Sequence, residues 1–265
     1  MEEPLVSVVT PAYEAERFIE GTLRSVRDQS YPNVEHVVVD GGSTDGTTGI
    51  LASYEDEDGY DLTWISEPDE GMYDAIEKGF ERASGEVLAW LNADDMHLPW
   101  AARVAVDALS RDGVEWVTGH PAEWDAEGRL VEVRPIRPHY RRGWIERGWY
   151  HGKAFGWLQQ ESMFWTRGLW ERRGGFPEGV ELAGDYHLWR RFAEETAPVQ
   201  LGTVVGGYRV HPDQFTADMD DYYAEVPDPG PLARVLAALR VDEGYSLLRS
   251  LLDGGSGDPD RERER

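Results

Sequence analysis

Val34-Glu35-His36-Val37-Val38-Val39-Asp40-Gly41-Gly42-Ser43-Thr44-Asp45-Gly46 is the stretch on which the fold turns. Its apolar run lacks the alternation of a half-exposed strand, so it reads as a strand covered on both faces. The run breaks at a carboxylate followed by glycines, the composition of a tight turn at a strand's carboxyl end. Upstream, Leu5 to Val9 is a second short apolar run, ended by Thr10-Pro11. Phe18, Ile19, Leu23 and Val26 then recur at helical spacing, and Tyr31-Pro32 closes that helix. Downstream, Leu62 to Ser66 reads as a strand, Met72 to Ala83 as a helix and Val87 to Leu91 as a fourth strand. Strands separated by helices predict an α/β fold with one Rossmann-like, mostly parallel sheet, and ligands then gather at the strands' carboxyl ends. The acidic Glu55-Asp56-Glu57-Asp58 is expected to be a solvated connection.

From about residue 121 the pattern becomes irregular and rich in Trp, Arg and Gly. A helix returns at Asp185 to Glu194, then a strand-like Gln200 to Arg209. After Pro227-Asp228-Pro229-Gly230-Pro231 comes an amphipathic stretch, Leu232 to Leu252, expected as one or two appended helices. The expected plan is a catalytic-size domain over 1–226 with halves at 1–120 and 121–226. A helical extension over 227–253 and a tail of disordered composition over 254–265 complete it.

The chain has 265 residues, enough to bury a large α/β core. No apolar run approaches the ~20 residues that cross a bilayer. Met1-Glu2-Glu3-Pro4 is acidic where a secretory signal is basic, and with no cysteine there are neither disulfides nor thiolate metal sites. The expectation is a cytoplasmic protein. A net charge of −25 repels phosphate backbones and argues against nucleic-acid binding. All but Lys78 and Lys153 of the 26 basic residues are arginine. An acidic, lysine-poor surface suits a high-salt interior, and a GC-rich genome explains the arginine preference equally.

Polar residues at strand ends carry the chemistry. Asp40 follows one apolar run, and Asn92-Ala93-Asp94-Asp95 follows another. Adjacent carboxylates at a sheet edge repel and are costly to desolvate unless a cation joins them. Oxygen ligands favour Mg²⁺ or Mn²⁺, commonly shared with a diphosphate. Two plainer readings stand beside these: Asp94-Asp95 as the cap of a helix starting near Pro99, and the Asp40 segment as a mere glycine-rich turn. It is no phosphate-cradling P-loop, because no Gly-Lys-Ser/Thr follows.

In order, Val8-Val9-Thr10-Pro11-Ala12-Tyr13, Val38-Val39-Asp40-Gly41-Gly42-Ser43-Thr44-Asp45-Gly46-Thr47, Ser66-Glu67-Pro68-Asp69-Glu70-Gly71-Met72-Tyr73-Asp74-Ala75 and Leu91-Asn92-Ala93-Asp94-Asp95 resemble the motifs of family 2 glycosyltransferases, inverting enzymes of GT-A fold. The resemblance spans about residues 5 to 215. It implies that Thr10, Pro11, Ala12, Tyr13 and Glu14 border the base and ribose, that Asp40 accepts a hydrogen bond from the base, and that Asp69 lies beside the nucleotide. Asn92, Ala93, Asp94 and Asp95 fall on the acidic metal motif, with Asn92 where many members have its first aspartate. Glu77 stands at a usual asparagine beside Lys78, which either reaches a phosphate or forms an exposed helix pair with it. Ala183-Gly184-Asp185-Tyr186-His187-Leu188-Trp189-Arg190 resembles the family's Glu-Asp…Trp-Arg segment, whose aspartate deprotonates the acceptor. Gly184 replaces the usual glutamate, so Asp185 alone is the candidate base, with N-capping as its plainer role. His211 resembles a late histidine near the metal or diphosphate, and a structural role is the alternative.

Arg134, Arg137, Arg141, Arg142, Arg147 and Lys153, opposed only by Glu146, interleave with Tyr140, Trp144, Trp149 and Tyr150. Such a stripe suits a phosphate-bearing acceptor or the cytoplasmic face of an anionic bilayer; alternatively its arginines pair with the protein's many carboxylates. Arg141, Arg142, Trp144, Gln160, Ser162 and Trp189 are the acceptor-side candidates, with Gln159 and Glu161 nearby. The expected function is metal-dependent transfer of a sugar from a nucleoside-diphosphate sugar to a glycan or a polyprenyl-phosphate type lipid-linked acceptor. The alternatives are a non-catalytic nucleotide-sugar or glycan-binding partner, kept open by Asn92 and Gly184, and a sugar nucleotidyltransferase. Thr10-Pro11-Ala12-Tyr13 does not match the latter's glycine- and arginine-rich loop.

Overall fold

A computed structural model describes residues 3–134, 138–212, 214 and 219–255, the last seven without their side chains. The first half alternates as expected: β1 (Val6–Ala12), α1 (Ile19–Arg27), β2 (Val34–Asp40), α2 (Thr47–Tyr54), β3 (Asp61–Ser66), α3 (Met72–Arg82), β4 (Val87–Trp90), β5 (Met96–His97) and α4 (Ala101–Leu109). The second half adds β6 (Trp116–Thr118), β7 (Ala122–Trp124), β8 (Leu130–Val133), α5 (Arg142–Glu146), a 3₁₀ turn (Gln160–Ser162), β9 (Met163–Thr166), α6 (Arg167–Arg173) and α7 (Gly184–Ala193). After these come β10 (Val199–Gln200), β11 (Gly206–Arg209), α8 (Met219–Ala224), α9 (Gly230–Ala238) and α10 (Val241–Gly255).

The main sheet has the order β10-β6-β9-β4-β1-β2-β3. All its strands run one way except β9, which lies antiparallel between β4 and β6. Side chains alternate across it. Val8 and Val38 join the core under α1, α2 and α4, whereas Val9 and Val37 join an aromatic core under α3, α6 and α7.

Three sequence expectations are corrected. Strand β1 does not stop at Thr10-Pro11 but continues to Ala12. The Val9 carbonyl accepts from Leu91 N on the β4 side and the Ala12 carbonyl from Gly41 N on the β2 side. Pro11 therefore aims its missing N–H past the end of β4, where no ladder bond is lost. Gln200 to Arg209 is not one strand; it divides into β10 of the main sheet and β11 of a second sheet, ordered β5-β11-β7-β8. That second sheet also means the fold is not built on one sheet alone. The appended helices expected over Leu232 to Leu252 are two, and Ala233 of the first is wholly buried in the aromatic core. Of the expected tail, Gly254 and Gly255 close α10 and 256–265 lie outside the described residues, as do Arg137 and Asp213. No helix among the described residues is long and apolar enough to cross a membrane.

Candidate active site

The loops after β1 and β2 are knitted together at the sheet's carboxyl edge. Glu14, held at φ +48°, accepts from Thr44 N (2.7 Å) and Thr44 Oγ1 (2.9 Å), while its own N–H donates to Ser43 Oγ (2.8 Å). Asp40 is fully buried, and its carboxylate accepts from Gly42 N, Ser43 N, Ser43 Oγ and Ser66 Oγ. These bonds, three on Oδ2 and one on Oδ1, brace the loop. Above it, a Cβ on Gly41 would lie 2.7 Å from Asp69 Oδ2, so the glycine makes room for the Asp69 carboxylate.

Strand alternation separates the residues of 10–14. Thr10 points into the core, where its Oγ1 meets His36 Nε2 at 2.8 Å and His36 Nδ1 meets Tyr60 OH at 2.6 Å. Thr10 is thus a core residue rather than a nucleotide contact. Pro11 and Ala12 are also buried, whereas Tyr13 is 67% exposed, a free ring face at the mouth of the edge. Lys78 is not reaching out: its ammonium is paired with Asp74 (3.0 Å) and Glu67 (3.4 Å). Glu77 is no exposed pair-mate either, since it accepts from Phe176 N (2.9 Å) and ties α3 to the second half.

The acidic motif divides. Thr22 Oγ1 pins it to α1, lying 2.8 Å from the Ala93 and Asp95 carbonyls. Asp95 turns inward, where its Oδ1 accepts from Arg209 N (2.8 Å) and Asn92 Nδ2 lies 3.4 Å from its Oδ2. Burial, then the charges of Asp94 and Glu161, hold its carboxyl well above the usual range. Asp94 stays accessible, and its Oδ2 lies 2.9 Å from His211 Nε2. The His211 ring packs on Phe18 with centroids 4.3 Å apart. Trp100, not either aspartate, occupies the N-cap of α4, so the capping alternative fails. The accessible Asp94 pairs with His211, whose side chain is buried, and Asp95 belongs to the support behind them.

Asp185 lies in the first turn of α7, whose N-cap is Ala183. Its Oδ1 is enclosed and has no hydrogen-bond partner among the described residues. Burial pushes its pKa up to about 6, against backbone N–H donation that lowers it. Two residues fix the turn beneath it, and neither had been assigned a role in the sequence. Tyr73 OH donates to the Leu182 carbonyl and accepts from Gly184 N, both at 2.8 Å. Glu225 accepts the backbone N–H groups of Glu181 (3.0 Å), Leu182 (3.0 Å) and Ala183 (2.8 Å). A lone glutamate after α8 carries no sequence signal for that task, because only the fold brings it there.

Glu161 joins the two halves. It is 5% exposed, and its Oε2 has no partner among the described residues. Burial raises its carboxyl well above the usual range, and the charges of Asp185 and Asp94 raise it further.

The other acceptor-side candidates disperse. Trp189 is 2% exposed and stacks on Trp116 (5.9 Å) within the core. Ser162 is fully buried, donating to the Gln159 carbonyl (2.9 Å). Gln160 is buried and donates to the Trp90 carbonyl. Arg142 caps the carboxyl end of α7 through the carbonyls of Ala193 and Glu194. Trp144 is buried against Phe155, and Arg141 stacks over Trp144 (4.7 Å) and Tyr245 (4.9 Å). The stripe is mostly a cation-and-ring framework holding α5, α7 and α10 together, because aromatic residues at helical contacts are worth more buried than displayed.

A mixed sheet with paired acids at its carboxyl edge and a carboxylate on a helix opposite defines the GT-A class. The chain belongs to glycosyltransferase family 2: the model described as "Glycosyl transferase family 2" matches residues 7–176. It is 41% identical over 208 residues to an uncharacterized glycosyltransferase, MT1564, of Mycobacterium tuberculosis, spanning 76% of this chain and 74% of that one. It is 46% identical over 93 residues to TuaG of Bacillus subtilis, named for teichuronic acid biosynthesis, spanning 35% of this chain and 37% of that protein. Among solved structures, Staphylococcus aureus TarS 1–349 with UDP-GlcNAc superposes with a TM-score of 0.63 at 18% identity, over 79% of this chain and 60% of that one. The Pyrobaculum calidifontis mannosyltransferase PcManGT, with GDP-Man and Mn²⁺, gives 0.63 at 23% identity, over 97% and 77%.

Proposed function

We infer that the protein moves a sugar from a nucleoside-diphosphate sugar to a hydroxyl of a glycan or lipid-linked acceptor, with inversion at the anomeric carbon. The observation that carries this is Asp185 Oδ1, an enclosed carboxylate oxygen without a partner, on a group whose pKa is about 6. An unpaired buried carboxylate is costly and is kept where a proton must be taken. In the inferred step the acceptor hydroxyl gives its proton to Asp185, its oxygen bonds to the anomeric carbon, and the bond from that carbon to the diphosphate oxygen breaks. One displacement needs one base and no carboxylate nucleophile, as in the inverting glycosidases with the acceptor in place of water.

The Asp94–His211 pair suits Mg²⁺ or Mn²⁺: Asp94 Oδ2 and His211 Nε2 converge, and such ions complete their shell with substrate phosphates and water. Bound there, the ion would neutralise the departing diphosphate. Asp94 and His211 would hold it, Asp95 and Arg209 would fix Asp94's loop, and Tyr13 would offer its exposed ring to the base. That the curated relatives are named glycosyltransferases, and that the superposed structures hold UDP-GlcNAc or GDP-Man, agrees with a nucleotide-sugar donor.

The test is calorimetric titration of UDP, GDP and dTDP with and without Mn²⁺ in molar KCl, on the wild type and Asp94→Ala. Metal-dependent binding of one nucleotide, lost in Asp94→Ala, is expected. Absence of binding under every condition would overturn the reading and favour a partner role without catalysis.

A further inference from the structure

Glu161 has no assigned task, yet it is one of the most unusual groups in the molecule. The turn that carries it is braced on every side. Gln159 exchanges hydrogen bonds with the Ala122 backbone (2.9 and 2.7 Å), Gln160 holds the Trp90 carbonyl, and Ser162 meets Thr118 Oγ1 at 3.2 Å. The Glu161 carbonyl accepts from His97 Nε2 (3.1 Å). A Cβ on Gly206 would lie 2.2 Å from that carbonyl oxygen, so β11 closes against the turn only as glycine. The backbone of the turn is fixed, and Glu161 Oε2 is left without a partner among the described residues, as is the neighbouring Gln160 Oε1.

A buried polar atom left unpaired costs roughly 1–3 kcal/mol, more for a carboxylate, and native folds rarely keep one without a use. A structural role does not account for it, because the backbone and its neighbours already hold the turn. Its position does: the Gln160 bond to the Trp90 carbonyl sets the Glu161 turn against the end of β4 that leads into Asp94, and Trp90 packs edge-on against Tyr73 (5.8 Å), whose hydroxyl holds the turn that carries Asp185. What passes between those two groups in the inferred reaction is the sugar being transferred. We propose that Glu161 Oε2 pairs with a ring hydroxyl of the transferred sugar and thereby positions the donor and selects it by that hydroxyl. This rests on the transferase reading above and adds to it a donor-sugar contact. A carboxyl oxygen in an enclosed site selects strongly, since a donor lacking the hydroxyl leaves it unpaired.

The test compares each free nucleotide with its sugar nucleotide on the full chain: UDP against UDP-GlcNAc and UDP-glucose, and GDP against GDP-mannose, with Mn²⁺ throughout. For the pair that the wild type binds, Glu161→Ala is expected to keep free-nucleotide affinity within about twofold and to weaken the sugar nucleotide about tenfold or more. Glu161→Gln preserves shape and an acceptor oxygen, so it should fall between the two and supplies the result if Glu161→Ala does not fold. Mono-deoxy analogues of the bound donor should show one position whose penalty in the wild type disappears in Glu161→Ala. Equal losses for nucleotide and sugar nucleotide, or no loss for either, overturn the sugar contact while leaving the transferase intact. A wild type that binds neither overturns both.

Discussion

Replacing Asp185 by Asn should stabilise the protein while disabling it. The wild-type carboxyl has a pKa of about 6 in the fold against an ordinary 3.8, because burial disfavours its charged form. A folded pKa raised above the unfolded value means that the native state holds the proton longer. Stability is then fully present below pH 3.8, falls as pH rises through the window to 6, and stays reduced above it. Roughly two units at 1.36 kcal/mol each set a ceiling near 3 kcal/mol, and solvent at this half-buried site brings the expected penalty to about 1–2 kcal/mol. Asn carries no charge and escapes the loss. Urea unfolding of wild type and Asp185→Asn at pH 4 and pH 8, in constant salt, should show near-equal stabilities at the lower pH and a variant more stable by that amount at the higher. The same variant should lose transfer by a factor of about 10²–10⁴ while nucleotide affinity holds. A variant no more stable than wild type at pH 8, or one whose advantage is independent of pH, would refute the enclosed-base argument.

The rate should carry the same signature: kcat/KM of the wild type falls about tenfold per unit below pH 6 and flattens above it, and a flat profile between pH 5 and pH 8 would count against Asp185 as base. Arg142→Ala should lower stability by about 0.5–1.5 kcal/mol through the lost bonds to the carbonyls of Ala193 and Glu194, with KM for donor and acceptor unchanged. An altered acceptor KM without loss of stability would restore that arginine to the acceptor site.

The parallel half of the sheet was readable because β1, β2 and β4 are covered on both faces, so burial left continuous apolar runs. Strand β9 was not, since Met163–Thr166 spans only four residues in a stretch where Trp, Phe and Met recur without a period. At the site, the loops were legible and the side-chain directions were not. Thr10 sits in a motif expected at the nucleotide edge and Ser162 among the acceptor-side candidates, yet strand alternation and turn bonding send both inward. Asp94 and Asp95 are adjacent in sequence but point to different environments, and only the N–H of Arg209, more than a hundred residues away, decides which turns in. Trp189 lies on the same helix as Asp185, four residues on, and the aromatic core claims it.

The departure at Gly184 has a steric cause and a replacement. A Cβ there would lie 2.4 Å from Tyr73 Cε1 and 2.5 Å from Cζ, so the family's usual glutamate does not fit beside this ring. The ring cannot yield readily, being buried and tied by its hydroxyl to Leu182 and Gly184. A carboxylate at the start of a helix also favours the orientation of its free N–H groups, and losing it would leave that end exposed. Glu225 places a carboxylate just ahead of the helix, on the amides of residues 181–183, while Asp185 is the acid of its first turn. Glycine at 184, tyrosine at 73 and glutamate at 225 therefore form one solution, in which the acid that anchors the turn is separate from Asp185, the proposed base. Asp185 is left with an oxygen that has no partner among the described residues, which is what the proposed role requires.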